Sequence, residues 1–229
     1  MSVYLDYNAS APIDERVLDL MVEVYKNSMG NADSRTHNFG ENARSIVENA
    51  RKQVASLLQV KPDEIFFTSG ATESNNIAIQ GLKEYAEKSN RKHIITTAIE
   101  HSSVYETCKE LEKFFGFEVT YLGVDHKGRI SLEELEKSIR DDTILVSIMY
   151  VNNEIGVINP IDEIKKIVKK YDKVKLHFDM VQALGKLPID LNDVDLASFS
   201  AHKIYGLKGS GLLFKRRSTT IVPLISGGQ

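Results

Sequence analysis

Short apolar runs alternate with amphipathic helical patterns along this chain, and that alternation limits its possible folds more than any other feature. Helical patterns separate the first five runs. Parallel strands need a long crossover connection, usually a helix, so this order predicts an α/β fold. We expect a mostly parallel sheet with helices on both faces, a three-layer sandwich. The seven predicted strands are Ile65–Phe67, His93–Thr97, Glu118–Leu122, Thr143–Met149, Lys175–Asp179, Leu196–Ser200 and Gly211–Phe214.

Apolar residues at helical spacing predict the helices between and before these strands. Ser131 and Glu134 form a capping-box pattern that marks one helix start. The segment from Tyr4 to Pro12 is predicted to be a strand and a turn. The predicted helices cover residues 14–27, 37–58, 73–88, 102–115, 131–139 and 161–170.

Composition excludes several classes of protein. The chain has 229 residues, 42% of them hydrophobic, which is enough for one large domain. A net charge of −3 without a large basic block does not indicate nucleic-acid binding. The sequence shows no apolar run of membrane-spanning length, no secretory signal and no histidine spacing typical of a metal site. With a single cysteine, these features predict a cytoplasmic protein.

Polar motifs follow five of the predicted strands at the point where each strand ends. They include Ser69-Gly70 after the first strand, Asn152-Asn153-Glu154 after the fourth, and His202-Lys203 after the sixth. Ligands of open parallel sheets bind beyond the carboxyl ends of the strands. The motifs therefore predict one ligand site at this edge of the sheet.

Lys203 and Asp179 suggest what that ligand is. A lysine at the mouth of a strand can form a Schiff base, and the cofactor most often held in that way is pyridoxal phosphate. An ionised Asp179 would keep the pyridine nitrogen of the cofactor protonated, which makes the ring an electron sink. Taken alone, each residue is more often an ordinary surface or strand-end residue.

A phosphate group needs backbone N–H groups and hydroxyl donors. Ala71 and Thr72 stand at the start of a predicted helix, where free N–H groups and the helix dipole attract anions. Ser200 and His202 are candidates for the opposite side of the phosphate. The plainer alternative is that Thr72 or Ser69 only caps the helix.

Three more residues are candidates for contact with the cofactor ring. His101 has an imidazole that can lie on the ring face and move protons near neutral pH. Asn153 and Gln182 carry amides that can bind the phenolic oxygen. Each has a plain alternative as a polar helix-start or loop residue. Cys108 lies on an apolar helix face and is predicted to be a buried thiol rather than a nucleophile.

With these residues in place, the chain resembles the cofactor-binding part of a cysteine desulfurase, in the class V aminotransferase-like group of pyridoxal-phosphate enzymes. The matching segments run in family order from one end of the chain to the other. They are Leu5–Ala9, Thr68–Asn76, Glu100-His101, Val151–Gly156, Asp179 with Gln182, Gly185–Asp190 and Ser198–Gly206.

The resemblance implies a fold type I large domain over residues 15–229, an N-terminal segment over residues 1–14, and no C-terminal small domain. It implies that Lys203 attaches the cofactor and that Lys203 and His101 are the catalytic residues. The family takes sulfur from L-cysteine, leaves alanine and forms a persulfide on an enzyme cysteine. The resemblance also implies a homodimer and a partner that is a sulfur-acceptor or scaffold protein. Iron–sulfur cluster assembly is one use of the sulfur. The cofactor-binding residues that it implies are Ala71, Thr72, His101, Asn153, Asp179, Gln182, Ser200, His202 and Lys203.

Departures from the family pattern leave two alternatives open. Family members continue past the position of Gln229 into a region with the persulfide cysteine and a carboxylate-binding arginine. Leu207 replaces the usual proline, and Met180 replaces a small residue. One alternative is another class V enzyme, such as a selenocysteine lyase. The other is a catalytically inert fragment that serves as a binding or assembly partner.

Overall fold

A computed structural model describes residues 2–227. Among them, seven strands form one sheet in the order β1-β7-β6-β5-β4-β2-β3. All seven lie at the predicted places, with two of them one residue longer than predicted. The strands are β1 (Ile65–Thr68), β2 (His93–Thr97), β3 (Glu118–Leu122), β4 (Thr143–Met149), β5 (Lys175–Asp179), β6 (Leu196–Ser200) and β7 (Gly211–Lys215).

Within residues 2–227, seven α-helices stand where six helical patterns were predicted, because the pattern over residues 73–88 is two helices. The first ends at Gln80 and the second begins at Lys83. Ser131 caps its helix by accepting a hydrogen bond from the Glu134 N–H at 3.2 Å. The helices are α1 (Glu15–Asn27), α2 (Asn38–Leu57), α3 (Ala71–Gln80), α4 (Lys83–Ser89), α5 (Ser102–Phe115), α6 (Leu132–Ser138) and α7 (Ile161–Val168).

The sheet is parallel except for one strand. Strands β6, β5, β4, β2 and β3 are parallel neighbours. Strand β7 runs antiparallel to both β6 and β1. Because β7 reverses between them, β1 runs in the same direction as β6. The carboxyl ends of all strands other than β7 therefore meet at one edge, as the polar motifs predicted.

Two apolar clusters cover the two faces of the sheet. On one face, α3, α4 and α5 pack around residues such as Ile79, Val104 and Leu145. On the other, α6 and α7 pack around residues that include Val146 and Phe178. Successive residues 145 and 146 enter opposite clusters, as expected for a strand buried on both faces. This is the predicted three-layer arrangement.

Two histidines lie inside the sheet rather than in the site. The His177 ring joins Ser147 on β4 at 2.8 Å and Ser198 on β6 at 3.0 Å. Complete burial lowers the pKa of His177 to about 3, so the ring is neutral. His93 joins Thr143 and Thr120 in the same way. Both rings hold neighbouring strands together.

The N-terminal segment differs from the prediction. Residues 2–14 form a turn at residues 7–9 but no strand. Instead, the Ala11 N–H donates to the His202 carbonyl and the Asp14 N–H donates to the Tyr205 carbonyl, both at 2.9 Å. The segment thus lies along the loop that carries Lys203. No helix within residues 2–227 has the length and apolar character needed to cross a bilayer.

Candidate functional site

A cavity of about 520 Å³ opens at the carboxyl edge of the sheet. Nine residues were predicted as site residues from five separate parts of the chain, and all nine line this cavity. Their individual roles stay predictions. The nine are Ala71, Thr72, His101, Asn153, Asp179, Gln182, Ser200, His202 and Lys203.

Asp179 ends β5 at the floor of the cavity and is only 6% exposed. Its Oδ1 accepts from the Val181 N–H at 3.1 Å, and its Oδ2 accepts from Asn75 Nδ2 at 2.9 Å. Burial raises the pKa of Asp179, while the Asn75 and Val181 bonds oppose that shift. A cationic ring nitrogen placed against this carboxyl group would favour its ionised form.

Lys203 lies half-buried in a single helical turn after β6. Its Nζ donates to the Asn8 carbonyl at 2.8 Å. Burial, and next the charge of Lys186, lower the pKa of Lys203. A lysine with a lowered pKa has a larger neutral fraction near neutral pH, which is the form that attacks a carbonyl carbon.

The start of α3 faces the cavity without a side-chain cap. Gly70 precedes the helix with φ of 153°, a conformation that other residues rarely adopt. A side chain at Gly211 would meet Gly70 Cα at 2.6 Å, so two glycines make this close approach possible. The first N–H groups of the helix, including those of Ala71 and Thr72, have no intrahelical acceptor. These N–H groups are suited to bind an anion at one end of the cavity.

Two residues at the end of β6 and in the turn after it also line the cavity. Ser200 is the last residue of β6, and His202 lies in the following turn. The His202 Nδ1 lies 3.4 Å from Ser10 Oγ. Burial lowers the pKa of His202, and the charges of Lys203 and Lys208 lower it further. Two cations near this histidine increase the positive potential where an anion would bind.

Asn8 does not line the cavity but bonds three residues that do, and it was missed as a site residue although its segment was recognised. Its carbonyl accepts from Gln182 Nε2 at 3.1 Å as well as from Lys203. Its side-chain Nδ2 donates to the Asn153 carbonyl at 2.6 Å. Lys186 donates to Gln182 Oε1 at 2.7 Å, which fixes the amide orientation. Such pairs, 145 or more residues apart, leave no local signal in the sequence.

His101 is the N-cap residue of α5, and the partly buried Glu100 lies directly before it. The His101 Nδ1 accepts from the Ser103 N–H at 3.1 Å. Glu100 Oε1 accepts from Thr97 Oγ1 at 2.8 Å and from the Met149 N–H at 3.0 Å. Burial raises the pKa of Glu100 to about 8. Glu100 therefore ties the loop after β2 to the end of β4.

Cys108 is completely buried on α5, as predicted. Burial raises the pKa of its thiol to about 12, so the thiolate form is scarce at neutral pH. Over residues 2–227, no group of three or more histidine, cysteine or acidic side chains is arranged to hold a metal ion.

Comparison with known proteins identifies a family for almost the whole chain. The family model described as "Aminotransferase class-V" matches residues 3–229. The chain is 49% identical over 229 residues to "Cysteine desulfurase IscS" of Dictyoglomus turgidum, covering 99% of this chain and 57% of the relative. It is 50% identical over 230 residues to "Cysteine desulfurase, mitochondrial" of Saccharomyces cerevisiae, covering 99% and 46%.

Solved structures agree with the fold. A "NifS-like protein" superposes with a TM-score of 0.96 at 48% identity, covering all of this chain and 62% of that one. A structure titled "SspA in complex with cysteine" superposes with a TM-score of 0.94 at 41% identity, covering 99% and 65%. The fold is that of a large domain of fold type I, as predicted. The chain spans about half the length of the curated relatives that it matches.

The predicted cytoplasmic location is wrong. Relatives of equal similarity have names that place them in organelles. The Saccharomyces cerevisiae relative is named as mitochondrial. A Trachipleistophora hominis relative is named as mitosomal; it is 51% identical over 99% of this chain and 52% of its own length. Composition and one buried cysteine indicate a reducing environment, but they do not distinguish one reducing compartment from another.

Proposed function

Because this chain belongs to the aminotransferase class-V family, we propose that it forms the pyridoxal-phosphate site of a cysteine desulfurase. One observation carries the proposal. Lys203 and Asp179 open on the same cavity, and the uncapped start of α3 faces it as well. An amine, an acid and an anion site around one space are the groups that this cofactor requires.

Each part of the cofactor has a partner in the cavity. Lys203 would hold the aldehyde carbon, and Asp179 the ring nitrogen. His101 would lie on the ring face. When bound, the cofactor supplies an electron sink for the bond broken in an amino-acid substrate. The proposed phosphate ligands are Ala71, Thr72, Ser200 and His202, and the proposed ligands of the phenolic oxygen are Asn153 and Gln182.

The substrate proposed is L-cysteine, which leaves as alanine. Lys203 Nζ would accept the α-proton of the substrate, and the lowered pKa of Lys203 increases the neutral fraction that can accept it. The sulfur must pass to a thiolate. Cys108, the single cysteine of the 229 residues, is enclosed in the core with its pKa near 12, so we assign it no part in sulfur transfer.

We propose that the protein acts as a homodimer that passes sulfur to an acceptor or scaffold protein, with iron–sulfur cluster assembly as one destination. Exposed apolar side chains in the segments around the cavity support a partner on this side. They are Tyr4, Tyr7, Ile155, Ile158, Tyr205 and Leu207.

Replacement of Lys203 tests the proposal. The wild-type protein mixed with pyridoxal phosphate is expected to show a visible absorbance band, and borohydride should fix the cofactor to the peptide that contains Lys203. Lys203→Ala should lose the band, the fixed peptide and the alanine formed from cysteine when a thiol is added to accept the sulfur. Lys166→Ala, which removes an exposed lysine of α7, is the matched control. Colour and turnover retained in Lys203→Ala would refute the assignment. A protein that binds the cofactor but forms no alanine would be an inert partner.

A further inference from the structure

Two buried side chains outside the predicted site connect Asp179 to His101. Asn75 on α3 is completely buried, and Ser103 on α5 is 7% exposed. Asn75 Nδ2 lies 2.9 Å from Asp179 Oδ2 and 2.8 Å from Ser103 Oγ. Ser103 Oγ in turn lies 2.8 Å from His101 Nδ1. The pair thus bridges the residue proposed under the ring nitrogen and the residue proposed on the ring face.

The orientation of the Asn75 amide follows from its neighbours. Its Nδ2 carries two hydrogens, which match the two acceptors at Asp179 Oδ2 and Ser103 Oγ. The reversed amide would place Oδ1 against an ionised carboxylate, with two acceptors facing each other. Asn75 therefore donates to both residues and holds the Asp179 carboxylate in one rotamer.

The direction of the remaining bonds follows in turn. Since Ser103 Oγ accepts from Asn75, its own hydrogen is available for His101 Nδ1. The Ser103 backbone N–H donates to the same Nδ1 at 3.1 Å. A nitrogen that accepts two hydrogen bonds carries no hydrogen of its own. The hydrogen of the neutral His101 ring must then be on Nε2, which makes no hydrogen bond to any residue from 2 to 227.

We propose that Asn75 and Ser103 are positioning residues that hold His101 as the Nε2–H tautomer and direct that N–H into the cavity. In this form His101 is a proton donor at Nε2 and not a base at that atom. The tautomer itself follows from the hydrogen bonds of the chain. Its use as a proton donor in the reaction rests on the proposed function.

Nuclear magnetic resonance tests the tautomer without any cofactor. Two-bond ¹⁵N–¹H correlation spectra separate the two neutral forms for each of the six histidines, and His101→Gln identifies the His101 signals by their loss. The wild-type protein should show the Nε2–H pattern. A wild-type spectrum in which the His101 hydrogen is on Nδ1 would overturn the proposal.

Variants of Ser103 test the bridge. In Ser103→Ala, the ¹⁵N chemical shift of His101 Nδ1 should move towards the value expected when both tautomers are populated. Ser103→Thr, which keeps a hydroxyl, should restore the wild-type chemical shift. Thr107→Val is the matched control: its hydroxyl is also buried on α5, but it bonds Asn76 and the Ser103 carbonyl instead. An unchanged His101 signal in Ser103→Ala would refute the bridge.

A separate readout distinguishes failure of this inference from failure of the proposed function. Absence of the cofactor band in a protein with the Nε2–H pattern would remove the proposed function and leave the tautomer standing. In protein that does bind cofactor, Ser103→Ala should lower kcat for alanine formation, and Ser103→Thr should recover it. An equal kcat in wild type and Ser103→Ala would refute the use of this tautomer in the reaction.

Discussion

At the scale of single residues, Glu100 is a carboxylic acid enclosed by protein directly before His101. One oxygen accepts two hydrogen bonds, and Oε2 has no partner among the described residues. Asn152 adds a second connection, since its Nδ2 donates to the Ile99 carbonyl at 2.8 Å. Glu100 and Asn152 therefore fix the loop that carries His101 against the loop that carries Asn153.

The raised pKa of Glu100 predicts a dependence of stability on pH. Its carboxyl group titrates at about 8 when folded and near 4.5 when unfolded, so the folded protein binds more protons between these values. Stability from this group is then lost as pH rises from 4.5 through 8. Glu100→Gln keeps an acceptor oxygen without this titration. Its free energy of unfolding relative to wild type should increase by on the order of 3 kcal/mol from pH 5 to pH 8.

Urea unfolding at several pH values measures this difference. Glu163→Gln, which removes an exposed carboxylate on α7, serves as the control and should give a flat difference. A flat difference for Glu100→Gln as well would mean that Glu100 titrates normally.

The site residues that were predicted from the sequence differ from those that were missed in how far away their contacts lie in the chain. Lys203, Asp179 and His101 each carry a reactive group directly after a strand or before a helix, so local pattern and chemistry are enough. Asn75 and Asn8 act through partners that are 104 and 195 residues away in the chain. Only the assembled sheet shows that their donors and acceptors match.

At the scale of elements, all seven strands were predictable because each is an apolar run bounded by polar residues. The break between α3 and α4 was not predictable, since apolar spacing continues through it. At the break, the Val222 N–H donates to the Gly81 carbonyl at 2.8 Å, and Ile221 lies beside Gly81. A window of neighbouring residues does not contain this contact.

The turn before α3 supplies a second prediction. Gly70→Ala places a Cβ at φ of 153°, where strain of about 1–3 kcal/mol is expected although the surrounding space is open. Relief of the strain would turn the first N–H groups of α3 away from the cavity. We expect weaker binding of pyridoxal phosphate, measured by absorbance titration. Gly123→Ala, at an exposed glycine with open space and no positive φ, should bind like wild type. Equal affinity in Gly70→Ala would contradict the proposed anion site.

At the scale of the whole molecule, α1 stands apart from the core. None of its side chains is buried, and most of its large apolar residues are exposed. Leu20 is 60% exposed and Tyr25 is 80% exposed. Apolar surface of this kind is rare on a soluble monomer.

This surface predicts that the 229-residue chain binds a hydrophobic fluorescent dye while folded. Leu20→Glu combined with Tyr25→Glu should lower the dye fluorescence without changing the circular dichroism. Asp19→Asn combined with Glu23→Gln, on the same helix, should leave the fluorescence unchanged. Fluorescence equal to wild type in the Leu20 and Tyr25 variant would show that the dye binds elsewhere.

The bond between Lys203 and the Asn8 carbonyl has a consequence for biosynthesis. Residue 8 leaves the ribosome long before residue 203 is added, and 195 positions separate them. The nascent chain must keep its first residues free of other partners until the sixth strand has been made. The proposed cofactor site, which needs both residues, can therefore form only after residue 203 has been added, and a bulky fusion ahead of Asn8 would interfere with the bond between them.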